Sequence, residues 1–177
     1  MIERMTHDIQ IRKVEAGDVD AVESLFEQEA AHNGFSFEKD SPFHPANSAI
    51  ETVNATLDDE NVNCGWIAFS DGQPAGIITT PQDLAGGVFV SDEFRGQGIA
   101  QALVKERESY FQEELGQTKI ERPIRADNEA SLNLHLGKLG YSFTEASQKI
   151  IDDNPEGRTG LAGDTVLYVE KSFGPTP

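Results

Sequence analysis

The sequence predicts an α+β fold built on a mixed central sheet. Three observations support this: short runs that alternate apolar and polar residues, longer runs with apolar residues at helical spacing, and the order in which they occur. That order is strand, two helices, three strands, helix, strand, helix, two strands. The chain has 177 residues, enough for one hydrophobic core, and no repeat, low-complexity tract or linker divides it. Residues 1–177 are therefore expected to form a single domain, with its core over about 9–169 and short flexible ends.

Ile9 to Val14 alternates apolar and polar, the pattern of a half-buried first strand. Asp18 reads as the N-cap of a helix running to about Ala31, with Val19, Val22, Leu25 and Phe26 on its apolar stripe. His32 to Asn47, rich in Gly, Ser, Pro and Phe, reads as a surface loop. A second helix is expected from Ala46 to Leu57, with Ile50, Val53 and Leu57 on one side. Trp66 to Phe69 and Ala75 to Thr79 are strands joined by a turn on Asp71-Gly72. Gly86 to Val90 follows as a fourth strand after a turn containing Pro81, and its two glycines suggest a bulge or a close backbone approach.

A helix then begins near Gly98, with Ile99, Ala102, Leu103 and Tyr110 inward and Lys105, Glu106, Arg107 and Glu108 mostly facing solvent. Lys119 to Arg125 is a fifth strand. Asn128 to Leu139 is a helix with Leu132, Leu136 and Leu139 inward, and Gly140 ends it. Tyr141 to Phe143 and Thr165 to Val169 are the last strands, with 152–164 as their hairpin loop.

Charge narrows the partners. The chain carries 14 basic against 31 acidic residues, a formal net charge of -17. Such a surface repels nucleic-acid phosphates and anionic membranes, so neither is expected to bind. It would attract cationic molecules such as polyamines, amino sugars or basic peptides; the plainer reading is solubility, or adaptation to a salty cytoplasm. No run approaches the roughly 18 apolar residues of a membrane span, and Met1 to Asp8 has no apolar run after its basic residue. A cytoplasmic location is expected. Cys64 is the single cysteine, which rules out an intrachain disulfide and a cysteine-rich metal site. No basic residue lies near it in sequence to lower its pKa, so it reads as a structural thiol.

The run from Val90 to Ala100 carries the chemistry. A strand ends, a loop brings two glycines, and an amphipathic helix starts at once. The first amides of a helix lack carbonyl partners and stand at the positive end of its dipole. Gly96 and Gly98 place no side chain in the way, so these N–H groups can cup a pyrophosphate, with Arg95 adding a full charge. The phosphate loop of nucleotide triphosphatases is absent, and Gln101 stands where a dinucleotide fingerprint needs its third glycine.

Arg95-Gly96-Gln97-Gly98-Ile99-Ala100 resembles the coenzyme A signature of the GNAT acetyltransferase superfamily, Arg/Gln-x-x-Gly-x-Gly/Ala. Val88-Phe89-Val90 before it resembles that family's fourth strand. The stretch from Asn128 through Ser131 and His135 to Tyr141 is similar to its Asn-x-x-Ala/Ser … Leu-Tyr-x-x-Leu-Gly-Phe block. The resemblance covers roughly Ile9 to Val169. It implies a splayed central sheet of about seven strands flanked by about four helices, with acetyl-CoA wedged between strands four and five. The amides from Arg95 to Ala100 would hold the pyrophosphate, the backbone of Val88 to Val90 would pair with the pantetheine arm, and Asn128 and Ser131 would anchor that arm. The implied activity is acetyl transfer from acetyl-CoA to a primary amine of a small molecule or peptide, by direct attack in a ternary complex. A homodimer is a partner the resemblance allows, since dimers are frequent in that family.

Amine acetylation needs a base for the ammonium, whose pKa is about 10.4 if lysine-like, a donor for the oxyanion, and a proton for the thiolate. The resemblance implies a backbone amide near Val90 for the oxyanion and position 135 near the sulfur. Many members have tyrosine there; His135 can also donate a proton, or can simply pack in the core. The family often has a glutamate near the position of Gly86, where this chain has glycine. Asp83, Glu93 or a held water could serve as base, though both acids also read as solvated surface groups. Asp92 stands where a proline is common. Gly137 inside a helix costs about 1 kcal/mol relative to alanine. His7, His32 and His44 are scattered, no metal-binding spacing is present and no metal is expected. Ser91 lacks a nucleophile-elbow setting. The missing acid at Gly86 also admits a non-catalytic acyl-CoA sensor, and the acidic face admits a subunit that docks a basic protein.

Overall fold

The computed structural model describes residues 8–36, 38, 41, 44–58, 64–80 and 87–174. The chain falls into two compact units, residues 1–107 and 108–177, each with its own sheet. Among the described residues there are seven strands, as expected; they form one sheet of four and one of three, and every ladder there is antiparallel.

The first unit is a meander, β1 (Ile9–Lys13), β2 (Gly65–Ser70), β3 (Gln73–Thr79) and β4 (Val88–Val90), paired in that order. Asp71, with φ of 50°, sits in the tight β2–β3 turn. Helices α1 (Val19–His32) and α2 (Pro45–Leu57) cover one face of this sheet. The core there joins Val14, Val22, Leu25, Ala49, Val53, Ile67, Ile77 and Phe89. Residues of opposite parity on β3 meet α3 (Ile99–Ser109), since a Cβ on Gly76 would lie 3.3 Å from Ile99 Cγ2. Covered on both faces, β2 and β3 are apolar runs rather than alternations.

Four details differ from the sequence expectation. Asp18 precedes α1, but its carboxylate turns back to accept from Arg12 Nη1 (2.6 Å), Arg12 Nη2 (2.9 Å) and the Glu15 amide (2.7 Å). A charge-assisted fork outcompetes a neutral cap. On α2 the inward positions are Pro45, Ala49 and Val53, four apart, and Ile50 and Leu57 are exposed. Pro45 sits at the first helical position with His44 Nδ1 accepting the Ala46 amide, so the helix starts one residue early. The bulge lies in β2, between Ala68 and Phe69, and Gly87 precedes β4. Finally, Arg107 and Glu108 are buried while Tyr110 is only half-buried. Cys64, just before β2, is buried as expected, its backbone locked to Thr80 by Thr80 Oγ1 (2.7 Å) and Thr80 N–H (2.8 Å).

The second unit carries β5 (Lys119–Arg125), β6 (Ser142–Phe143) and β7 (Val166–Ser172), ordered β5-β7-β6. Pro123 is tolerated because β5 is an outer strand of this sheet. Helix α4 (Glu129–Leu132) widens into a π-helical stretch from Asn133 to Lys138, where the Leu139 amide bonds the Leu134 carbonyl five residues back. Leu132, His135 and Leu139 are buried and Leu136 is half-buried. A further helix, to which the sequence reading assigns no element, precedes the expected 152–164 loop: α5 (Glu145–Asp152), with a 3₁₀ turn over Gly157–Gly160 inside that loop. Thr144 caps it, accepting the Ser147 amide, and Ser147 Oγ in turn accepts the Tyr168 amide at 2.7 Å.

Candidate functional site

In the first unit the site is a loop between a strand edge and a helix start. β4 pairs with β3 on one side and is the last strand of its sheet. Close contact with β3 depends on Gly76, where a Cβ would lie 2.7 Å from the Phe89 carbonyl oxygen. After β4, a 3₁₀ turn (Asp92–Phe94) leads to Gly96 (φ 79°) and Gly98 (φ 85°). Both take the left-handed conformation that side chains disfavour. A Cβ at either would meet nothing within 4 Å, so the loop is open as well as curled. The Ala102 amide makes the bond to the Gly98 carbonyl, which leaves the amides of Ile99, Ala100 and Gln101 without an intrahelical acceptor. Gln97 Oε1 is buried with no hydrogen-bond partner among the described residues. Ile99 is buried and anchors the helix start on the sheet.

The surroundings fix this loop. Ser91 Oγ donates to Gln28 Oε1 at 2.6 Å, tying it to α1. Arg95 is partly occupied: Nη2 pairs with Asp92 at 2.7 Å, Nε donates to the Val90 carbonyl at 3.2 Å, and His32 Nδ1 lies 3.5 Å away. Its charge is already answered by Asp92, so the anion-binding capacity rests mainly on the amides.

One side chain that sequence reading missed stands beside β4. Glu29, in the last turns of α1, is half-buried, and burial pushes its carboxyl pKa up, with His32 opposing. Its Oε1 lies 3.9 Å from where a Cβ on Gly87 would sit. The signal was available: Glu29 follows Val22, Leu25 and Phe26 at helical spacing, an acid on an otherwise apolar stripe. Of the acids considered instead, Glu93 is exposed, and Asp83 lies outside the described residues with Gly86, Pro81 and His7.

In the second unit, Asn128 caps α4, its Oδ1 accepting the Ser131 amide at 3.0 Å. Its side-chain NH2 remains to donate elsewhere. Ser131 and His135 sit one turn apart, with His135 Nδ1 2.9 Å from the Ser131 carbonyl and 3.4 Å from its hydroxyl. A carbonyl can only accept, so Nδ1 carries hydrogen and Nε2 of the neutral ring is an acceptor. His135 is buried and packs edge-on against Tyr141, centroids 4.9 Å apart. Tyr141 in turn lies under Lys171 Nζ (5.7 Å), which pairs with buried Glu108 at 2.6 Å. Arg122 lies over Phe111, and burial lowers its pKa while Tyr141 and Glu108 oppose that shift. Among the described residues no cluster of His, Cys, Asp or Glu could hold a metal, and no helix is long and apolar enough to cross a membrane.

Comparison with known proteins places this geometry. Residues 24–141 match the model of the Acetyltransferase (GNAT) family. No curated protein sequence matches the chain. Among solved structures, it is similar to ribosomal-protein-S5-alanine acetyltransferase from Vibrio fischeri, with a TM-score of 0.66, 16% identity and coverage of 93% of this chain and 92% of that one. It is similar to PaiA N-acetyltransferase from Thermoplasma acidophilum in complex with coenzyme A (TM-score 0.65, 16% identity, 94% and 99% covered). A third likeness is to spermidine N-acetyltransferase from Vibrio cholerae (TM-score 0.63, 15% identity, 93% of each chain covered). At these identities the likeness concerns the fold.

Proposed function

The chain belongs to the GNAT acetyltransferase family, and from that premise we propose that it moves an acetyl group from acetyl-CoA to a primary amine of a small molecule or peptide. The observation that carries this reading is the open, left-handed loop at Gly96 and Gly98 running into the start of α3. It fits a pyrophosphate because the donors are main-chain amides at a helix start, with no side chain to displace. Support for the cosubstrate also comes from the solved PaiA N-acetyltransferase, which holds coenzyme A. Spermidine and ribosomal-protein alanine, named for two of the similar structures, are both amines.

In this reading Arg95 to Ala100 hold the pyrophosphate. The outer edge of β4 offers the backbone groups of Val88 and Val90 to the pantetheine amides, as an added strand would find them, while the carbonyl of Phe89 between them faces β3. The Val90 carbonyl is partly engaged by Arg95, so Val88 offers the freer acceptor. Asn128, through its remaining NH2, and Ser131 steady the same arm. The acceptor amine attacks the thioester carbonyl directly, and a main-chain amide near Val90 receives the developing oxyanion. His135 returns a proton to the departing thiolate. With Nδ1 held by the Ser131 carbonyl, it does so from the imidazolium, through Nε2.

Binding and turnover are separable. Acetyl-CoA at a hundredfold excess over Kd should add about 2.7 kcal/mol of stability, read as a rise in Tm. Turnover should release coenzyme A thiol when a panel of amines is supplied. Replacing Gly98 by leucine forces a side chain into a left-handed backbone and over the amides, and should abolish the Tm rise; a retained rise would refute this placement. A Tm rise with no thiol released across the panel would favour an acyl-CoA sensor, the reading that glycine at position 86 permits.

A further inference from the structure

β4 begins at Val88, and the residue before it, Gly87, leaves the flank of the strand without a side chain. Glu29 of α1 approaches that gap, Oε1 standing 3.9 Å from the absent Cβ. Its place on α1 is on the face that carries Val22, Leu25 and Phe26 into the core, not on the solvent face. Among the described residues its carboxyl makes no hydrogen bond or ion pair, and His32, one turn later, opposes the effect of burial on it. An unpaired, part-buried carboxylate costs stability, and a fold that keeps one beside a ligand-binding edge puts it where a proton acceptor is useful.

We infer that Glu29 is the general base of the reaction, reaching from α1 to the head of β4, where Gly87 leaves it room. This rests on the acetyl-transfer reading above. Glu29 as carboxylate removes one proton from the bound ammonium R–NH3⁺, giving R–NH2 and a neutral carboxyl. Nitrogen then bonds to the thioester carbon, and the collapse of the tetrahedral adduct breaks the carbon–sulfur bond. The second nitrogen proton and the thiolate combine, directly or through His135, to give the amide and HS–CoA. Glu29 releases its proton to solvent, so the overall change is R–NH3⁺ plus acetyl-CoA to R–NH–CO–CH3, HS–CoA and H⁺.

The setting suits the task. Burial raises the carboxyl above its ordinary range and so brings it closer to an amine's pKa. Among the described residues the groups that face it are few. His32 lies on α1 itself and reaches the Asp92–Arg95 pair of the loop after β4. β3 and β4 carry no titratable residue, and α2 carries only Glu51, which is exposed.

The test uses the full chain and two readouts. Thiol release from acetyl-CoA is followed with spermidine, butylamine and an alanine-terminated peptide as acceptors, for the native chain and Glu29→Gln. The variant should lose about 10²-fold or more in kcat/KM for the amine at neutral pH, keep its acetyl-CoA Tm rise, and recover as pH approaches the amine's own pKa. A rate within about threefold of native, or a loss equal at every pH, overturns the assignment. Carbon-13 NMR of the labelled chain, with Glu29→Gln to assign the signal, reads the carboxyl without any acceptor. A titration above the ordinary glutamate value of about 4.3 supports the base, and one at that value overturns it even if no acceptor in the panel reacts. Failure of the acetyl-transfer reading looks different: acetyl-CoA then leaves Tm unchanged, or raises it while the native chain itself releases no thiol at any pH.

Discussion

His135 and Asp18 show how one hydrogen bond decides what a residue can do. The Ser131 carbonyl fixes the tautomer of His135, and its ring is packed on Tyr141. Phenylalanine at 135 would keep that packing and lose the proton. His135→Phe should slow thiol release by about 10²-fold with acetyl-CoA binding preserved, and an unchanged rate would remove it from the acid role. Asp18 is held below the ordinary carboxylate range chiefly by its hydrogen bonds from Arg12, against a desolvation that opposes them. A depressed carboxylate stabilises the fold above its unfolded pKa of about 3.9, and that gain is lost as pH falls through the folded value. Asp18→Asn should therefore cost about 1–2 kcal/mol in urea unfolding at pH 7, Arg12 being partly solvent-screened, and the gap should close below about pH 4. Composition showed neither outcome. Asp18 reads equally as a cap or an ion-pair partner until the position of Arg12 is known.

At the scale of elements, periodicity located all seven strands, and missed where a local rule and a tertiary one competed. α5 was hidden because 152–164 is full of glycine, and the helix lies just before that stretch, started by Thr144 and held by Ser147. In the helix after Asn128 the buried position beside Leu132 and Leu139 is His135 rather than Leu136; both fit a 3.6-residue period, and the apolar pattern favours the leucine because position 135 is polar. The open loop at Gly96 and Gly98, proposed to hold coenzyme A, was legible because its glycines do a backbone task that can be read from sequence. Glu29 was legible only as an acid on an apolar stripe; its proximity to Gly87, 58 residues away in the chain, was not. A close backbone approach is present at Gly76, beneath the Phe89 carbonyl; of the two glycines before β4, Gly86 lies outside the described residues. Gly76→Ala must separate β3 from β4 and should cost about 1–3 kcal/mol, with a matching loss of acetyl-CoA affinity; native stability in thermal unfolding would show that the strands give way freely.

For the whole molecule, the net charge of -17 sets the field in which a polyanionic cosubstrate must bind. Self-repulsion opposes both the compact state and the approach of coenzyme A, and salt screens both. Raising NaCl from about 0.05 M to about 0.5 M should increase Tm and should not weaken acetyl-CoA binding in calorimetry, the reverse of a basic nucleic-acid binder. A fall in Tm over that range would mean that attractive ion pairs dominate instead. The charge also agrees with an amine acceptor, although solubility alone accounts for it.

Gly76 has a consequence for anyone who maps function by tolerance to mutation. Every alternative amino acid brings at least a methyl group into the space next to a carbonyl oxygen, so a saturation library should score this site as intolerant as any reactive residue. Yet it has no chemistry to offer. Depletion maps of such a protein would flag this close approach of two backbones alongside the proposed acid and base. Only an assay that separates abundance from turnover would tell them apart.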